Sequence, residues 1–165
     1  MLEVFPTWAS VVTCVADETA FDGYVPPAGV RGCRIAPDEM LLVAPTGRVA
    51  DVVHDAVERV AAADPDALVL DTTDGWTVWT IEGGDVGAAF SRLSAIRLPD
   101  EGFAQGDVAR VPVKVIRESG RVHFLVPSMW REHLRERIME RCRSLGVVER
   151  TEPVAWTFGV PEVAE

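Results

Sequence analysis

The stretch ALVLDTTDGWTVWTIEGGDVGAAFSRL, residues 67–93, decides the fold class. Ala67–Asp71 is a short apolar run, and Thr72–Gly75 is a cluster of turn formers. From Trp76 to Glu82 the residues alternate, with Trp76 and Val78 on one face and Trp79 and Ile81 on the other. A strand apolar on both faces is usually covered on both. Gly83-Gly84 turns the chain, and Val86, Ala89, Phe90 and Leu93 then recur at helical spacing. Asp85 opens that helix, where a negative charge suits the positive end of the helix dipole. The predicted helix spans residues 85–96, and the order is strand, strand, helix.

The same order recurs upstream. Arg31–Ala36 and Met40–Ala44 read as strands around the turn Pro37-Asp38-Glu39. A helix follows over Gly47–Ala63, with Val49, Val52, Val53, Ala56, Val57 and Val60 on one face and Thr46 as its N-cap. Asp64-Pro65-Asp66 ends it, because the residue before proline avoids the α region. Further towards the N-terminus, Trp8–Ala16 reads as a strand and Val25-Pro26-Pro27 as a break.

Downstream, residues 98–106 read as a loop and Val108–Ile116 as one strand. Ala109, Val111, Val113 and Val115 share one face of it, and Arg110, Pro112 and Lys114 the other. Glu118-Ser119-Gly120 links it to Val122–Val126 as a hairpin. Ser128 is expected to cap a helix over Met129–Leu145, with Trp130, Leu134, Ile138 and Cys142 as its apolar stripe and Gly146 as its C-cap. The tail, 147–165, carries little pattern beyond Val154–Phe158, which suits an edge strand. The expected architecture is an α+β domain spanning 1–165, built of repeated ββα units on a mainly antiparallel sheet.

Composition narrows the function. With 48% hydrophobic and 25% charged residues the chain is globular rather than disordered. A net charge of −10, from 26 acidic and 16 basic residues, argues against nucleic acid, which requires a basic face. The longest apolar run, Met40–Ala44, is far short of the ~20 residues that a bilayer demands. Met1–Ser10 has no basic n-region, so a signal peptide is not expected. Cys14, Cys33 and Cys142 are widely spaced with no CxxC, and read as reduced, buried thiols of a cytoplasmic protein.

Few residues announce chemistry. His54, His123 and His133 have no partner at metal-ligand spacing. Gly83-Gly84-Asp85-Val86-Gly87 matches no phosphate-loop pattern, and no serine sits in a GxSxG elbow. The charged run from Arg131 to Arg141 reads as a solvated helix face with pairs such as Glu132 and Arg135. No catalytic, cofactor-binding or metal-ligating residue is therefore assigned. Of Trp76 and Trp79, one fits a core; the other packs under a second layer, lines a pocket or meets a partner. Together with Arg110 and Lys114 they are the candidate partner interface or pocket.

Several segments in order resemble one family. They are Ile35-Ala36-Pro37-Asp38-Glu39-Met40-Leu41-Leu42, Val69–Val78, Glu82–Val86 with Phe90–Leu93, Gly102–Arg110, and Phe124-Leu125-Val126-Pro127-Ser128. Over residues 25–145 this pattern is similar to sarcosine oxidase gamma subunits, relatives of the glycine-cleavage T-protein. The chain departs from that pattern at Met40, where the family carries tryptophan, at Trp76, where it carries arginine, and at Gly84, where it carries proline.

The resemblance implies a folate-binding-type fold of strand-helix subdomains related by a pseudo-two-fold. It implies a non-catalytic partner subunit of a heteromeric, flavin-dependent oxidase of sarcosine or a similar N-methyl amine. The alpha, beta and delta subunits of such a complex carry FAD, FMN, NAD and tetrahydrofolate, and none is expected on this chain. The T-protein holds tetrahydrofolate chemistry with a carboxylate on a hairpin. The corresponding hairpin here, residues 116–123, has no aspartate, and Glu118 is expected to be exposed beside the turn. The KGCYxGQE signature of another branch is also missing. Two other readings stay open: a stand-alone folate-dependent one-carbon transferase or demethylase, and a small enzyme that reused the fold.

Overall fold

The computed structural model describes residues 1–118 and 120–158. Ser119, which the sequence reading places in the linking turn, and residues 159–165 lie outside the described residues. The chain divides into two compact units, one of Met1–Thr7 with Asp74–Val154 and one of Trp8–Thr73 with Ala155 onward. A single long strand, β1 (Leu2–Val15), contributes its first residues to one unit and the rest to the other.

In the unit built on residues 8–73, β1 pairs antiparallel with β3 (Glu39–Pro45) and with β4 (Leu68–Asp71). β2 (Arg31–Ala36) adds to the outer side of β3, also antiparallel. Helix α1 (Val49–Arg59) turns Val52 and Ala56 onto one sheet face, against Val12, Cys14, Leu42 and Ala44. Both faces of β3 are buried: Leu41 and Val43 are as inaccessible as Leu42 and Ala44. The helix is shorter than the sequence suggests. It starts after Arg48 with no side-chain cap, so Thr46 does not cap it. Asp64 instead accepts the backbone N–H groups of Asp17 and Asp66.

The other unit is built on β5 (Trp76–Gly83), which lies between β1 and β8 (Arg121–Pro127), antiparallel to both. β7 (Val111–Glu118) and β6 (Gly102–Val108) continue the sheet, again antiparallel. β9 (Val147–Glu149) pairs with β1 in parallel. Helices α2 (Val86–Leu93) and α3 (Arg131–Arg141) cover one face, where Ala89, Phe90, Leu93, Leu134 and Ile138 meet Trp79, Ile81, Val113, Val115 and Phe124. The Phe90 and Phe124 rings stack with centroids 6.1 Å apart. The expected burial of β5 on both faces is observed, since Val78, Trp79, Thr80 and Ile81 are all buried. A two-residue strand, β10 (Val154–Ala155), pairs with β1 at the edge position read for the tail.

The α+β class and the mainly antiparallel sheets match the sequence reading; a strict ββα repeat does not. Three strands, not two, lie between α2 and α3. The segment read as a loop, 98–106, becomes most of β6, because β7 supplies a ladder for it from Gly102↔Arg117 to Val108↔Val111. The predicted strand 108–116 is broken at Ala109-Arg110, both with positive φ (52° and 68°). These two form the tight turn of a hairpin without the glycine or asparagine that usually betrays one. Near the C-terminus Ser128 opens a 3-10 helix, Ser128–Trp130, instead of capping α3. Gly146 does adopt the left-handed conformation, closing a short 3-10 turn, Arg143–Leu145, after α3.

All three cysteines are free and buried. Burial pushes the Cys14 and Cys33 thiols up to about 11, and raises Cys142 as well. The thiolate is the reactive form, so access and ionisation both disfavour attack. A chromogenic disulfide reagent is therefore expected to label the folded chain about a thousandfold or more slowly than the denatured chain. Rapid native labelling of any of the three would contradict the burial described.

Candidate functional site

The four residues singled out in the sequence all belong to the β5–β8–β7 unit, but they separate into different environments. Trp79 is 5% exposed, and its indole Nε1 donates to the Arg131 carbonyl at 3.1 Å, where α3 begins. It is the core tryptophan. Trp76, the first residue of β5, is half-buried and lies opposite Pro127, the last residue of β8. Lys114 stands on β7 and donates to the Gln105 side chain across the hairpin at 2.7 Å. Arg110 projects from the tight turn, exposed, and makes no hydrogen bond or ion pair among the described residues.

The chain end of β8 continues into the 3-10 helix with Met129 82% and Trp130 41% exposed. Trp130 therefore leaves the apolar stripe assigned to it. Leu134, Ile138 and Cys142 are buried as expected, but Trp130 precedes the regular helix and does not share its 3.6-residue phase. With Trp76 opposite Pro127, one end of the β5–β8 pair presents large apolar side chains that a core would ordinarily absorb.

A second cluster is polar and buried. The Thr7 and Thr80 hydroxyl oxygens lie 2.6 Å apart, and Thr80 Oγ1 is 2.7 Å from His123 Nδ1. His123 Nε2 faces Glu118 Oε2 at 3.4 Å. Where Thr80 donates to Nδ1, the ring proton sits on Nε2, facing the carboxylate. Glu118 is not exposed as expected. Its side chain is only 21% accessible, and Oε1 is buried with no hydrogen-bond partner among the described residues. Residue types alone suggest a carboxylate–histidine–hydroxyl relay, but Thr80 has no solvent exposure. The network ties β1, β5, β8 and β7 together, and satisfying buried hydroxyls in this way avoids a cost of roughly 1–3 kcal/mol for each unpaired group.

The third feature is a pocket of about 360 Å³ lined by Ala109, Arg110, Trp130, His133, Arg137 and Arg141. His133, Arg137 and Arg141 follow helical spacing along α3, Trp130 joins them from the 3-10 turn before it, and the β6–β7 turn delivers Arg110 to that face. Among the described residues no carboxylate lines it. In the sequence these basic residues read as part of a solvated helix face. That reading holds for Glu132 and Arg135, 2.9 Å apart, where Arg135 holds the Glu132 carboxyl below its usual range. The 133–137–141 spacing is the signal that the sequence carries for it. Among the described residues no group of three or more His, Cys, Asp or Glu could hold a metal ion, and no helix is long and apolar enough to cross a membrane.

Comparison with solved structures shows which fold this is. A chain of the heterotetrameric sarcosine oxidase from Corynebacterium sp. U-96 superposes with a TM-score of 0.74 at 14% identity, over 91% of this chain and 88% of that one. The glycine cleavage system aminomethyltransferase T from Bartonella henselae matches with a TM-score of 0.61 at 14% identity. That match covers 93% of this chain but 48% of the transferase, so this chain spans about half its length. The chain thus has a T-protein-like fold related to that of a sarcosine oxidase chain. Neither protein-family models nor curated protein sequences gave a match.

Proposed function

We propose that this chain is a non-catalytic partner subunit of a heteromeric, flavin-dependent oxidase of sarcosine or a similar N-methyl amine, working in the cytoplasm. The observation that carries the reading is the reciprocal coverage: the match runs through 91% of this chain and 88% of one chain of a heterotetramer. A catalytic aminomethyltransferase is matched over 48% of its length only. The exposed Met129 and Trp130 and the half-buried Trp76 support the same reading, because apolar side chains grouped at one end of a sheet suit a partner better than water. The partners would be alpha, beta and delta subunits that hold FAD, FMN, NAD and tetrahydrofolate.

The test is co-expression of this chain with the products of the genes beside its own. The expected result is a stoichiometric complex with sarcosine-dependent oxygen uptake that falls when this chain is left out. Failure to co-purify with any flavoprotein removes the proposal.

A folate-dependent one-carbon transferase is the second reading, and Glu118 is the observation behind it. Its carboxylate lies on the right hairpin, with Oε1 buried and without a hydrogen-bond partner among the described residues. Methylenetetrahydrofolate formation by the purified chain, lost in Glu118→Ala, would put this reading first.

A further inference from the structure

We infer that the pocket between the Ala109-Arg110 turn and the exposed side of α3 binds a small, multiply charged anion bearing phosphate or carboxylate groups. Three independent observations converge on it.

The first is charge. The chain carries −10 overall, yet the pocket wall presents Arg110, His133, Arg137 and Arg141 and, among the described residues, no acid. Arg137 is partly neutralised by Glu140 at 2.5 Å. Arg141 donates to the Arg92 carbonyl at 3.3 Å and, like Arg110, has no carboxylate partner among the described residues. In a protein with ten more acidic than basic side chains, two guanidinium groups left without one on the same pocket wall are available to an outside anion. Arginine presents a planar fork that matches both carboxylate and phosphate.

The second is backbone geometry. Two consecutive residues with side chains take positive φ, at 52° and 68°. A two-residue hairpin turn demands positive φ at both central residues, so the β6–β7 pairing fixes where the Arg110 side chain is carried. Here the turn is held from both sides: the Ala109 N–H donates to the Leu93 carbonyl at 2.7 Å, and His133 Nε2 lies 3.4 Å from the Ala109 carbonyl. Glycine would relieve the strain at position 110, but it would remove the guanidinium from the pocket.

The third is shape. The pocket has room for a compact molecule, at about 360 Å³. Trp130 packs edge-on against His133, with centroids 5.8 Å apart, so the indole forms a fixed apolar wall beside the cationic one. An anion with a small non-polar body fits such a wall better than a bare halide does.

Inorganic phosphate and citrate are the two probes, titrated into the full chain at low ionic strength so that screening is small. Binding is read from the Trp130 and His133 resonances by NMR. Saturable perturbation by either probe is the expected result. Phosphate alone identifies a phosphoryl ligand and citrate alone a polycarboxylate, while both together identify a general anion site. Arg110→Gln and Arg141→Gln should each weaken binding about tenfold or more, as expected for loss of one charge-assisted hydrogen bond. Lys114→Gln removes the same charge outside the pocket and should leave affinity unchanged. Arg110→Gly separates binding from folding: it should raise the unfolding midpoint and still abolish binding. No saturable perturbation with either anion, or equal weakening by Lys114→Gln, overturns the assignment.

Discussion

Trp79→Ala is expected to lower the free energy of unfolding by about 3–5 kcal/mol. The same change at Trp76 is expected to cost about 1 kcal/mol. Trp79 is 5% exposed in the cluster that joins β5, β7 and β8 to α2 and α3. Truncation empties the largest side chain of that cluster and also removes the Nε1 donor from the Arg131 carbonyl. Loss of a buried donor adds to the cavity term, because the acceptor left behind forfeits its partner. Trp76 is only half-buried at the start of β5. Urea unfolding of the two variants checks the difference. Equal destabilisation would mean that Trp76 is as much a core residue as Trp79.

The opposite ranking is expected for assembly. Trp76→Ala and Met129→Asp should each weaken association with the proposed flavoprotein partner by about thirtyfold, the equivalent of ~2 kcal/mol at an interface hot spot. Both should keep an unfolding midpoint near that of the parent chain. Met129 is 82% exposed on the 3-10 helix after β8, so an aspartate there meets water in the free chain. In a desolvated interface the same aspartate has no solvent and no counter-ion, which is the source of the penalty. Trp130 is left intact in this pair because it also walls the anion pocket. Affinity measured on the purified partner decides the matter, and unchanged affinity in both variants would place the interface elsewhere. Trp79→Ala, by contrast, should affect assembly only as far as it unfolds the chain.

The chemistry of strand and helix was written locally, and so it was legible. Residues 67–93 showed two strands and a helix through period-two and period-3.6 patterns, and β4, β5 and α2 lie there. The β7–β8 hairpin, the stripe Leu134, Ile138, Cys142 and the left-handed Gly146 were readable for the same reason. Each depends on neighbours within a few residues along the chain, where periodicity and turn chemistry act directly.

Other features needed partners distant in sequence. β6 exists because β7 offers it a ladder, and its own residues, Gly102 to Val108, look like a loop. The Ala109-Arg110 turn is imposed by that pairing and by the Leu93 carbonyl, against the conformational preference of both residues. Glu118 read as exposed from its place beside a turn, yet His123 lies across the hairpin within 3.4 Å of it. The sequence alone determined that this protein is an α+β chain with one surplus tryptophan and a charged, solvated face on its last helix, since side-chain period and charge are properties of the string. Which tryptophan is surplus, and that Arg110 meets the face of His133, Arg137 and Arg141, was decided only by tertiary structure. Those facts depend on strand register and on a strained turn, and long-range pairing sets both.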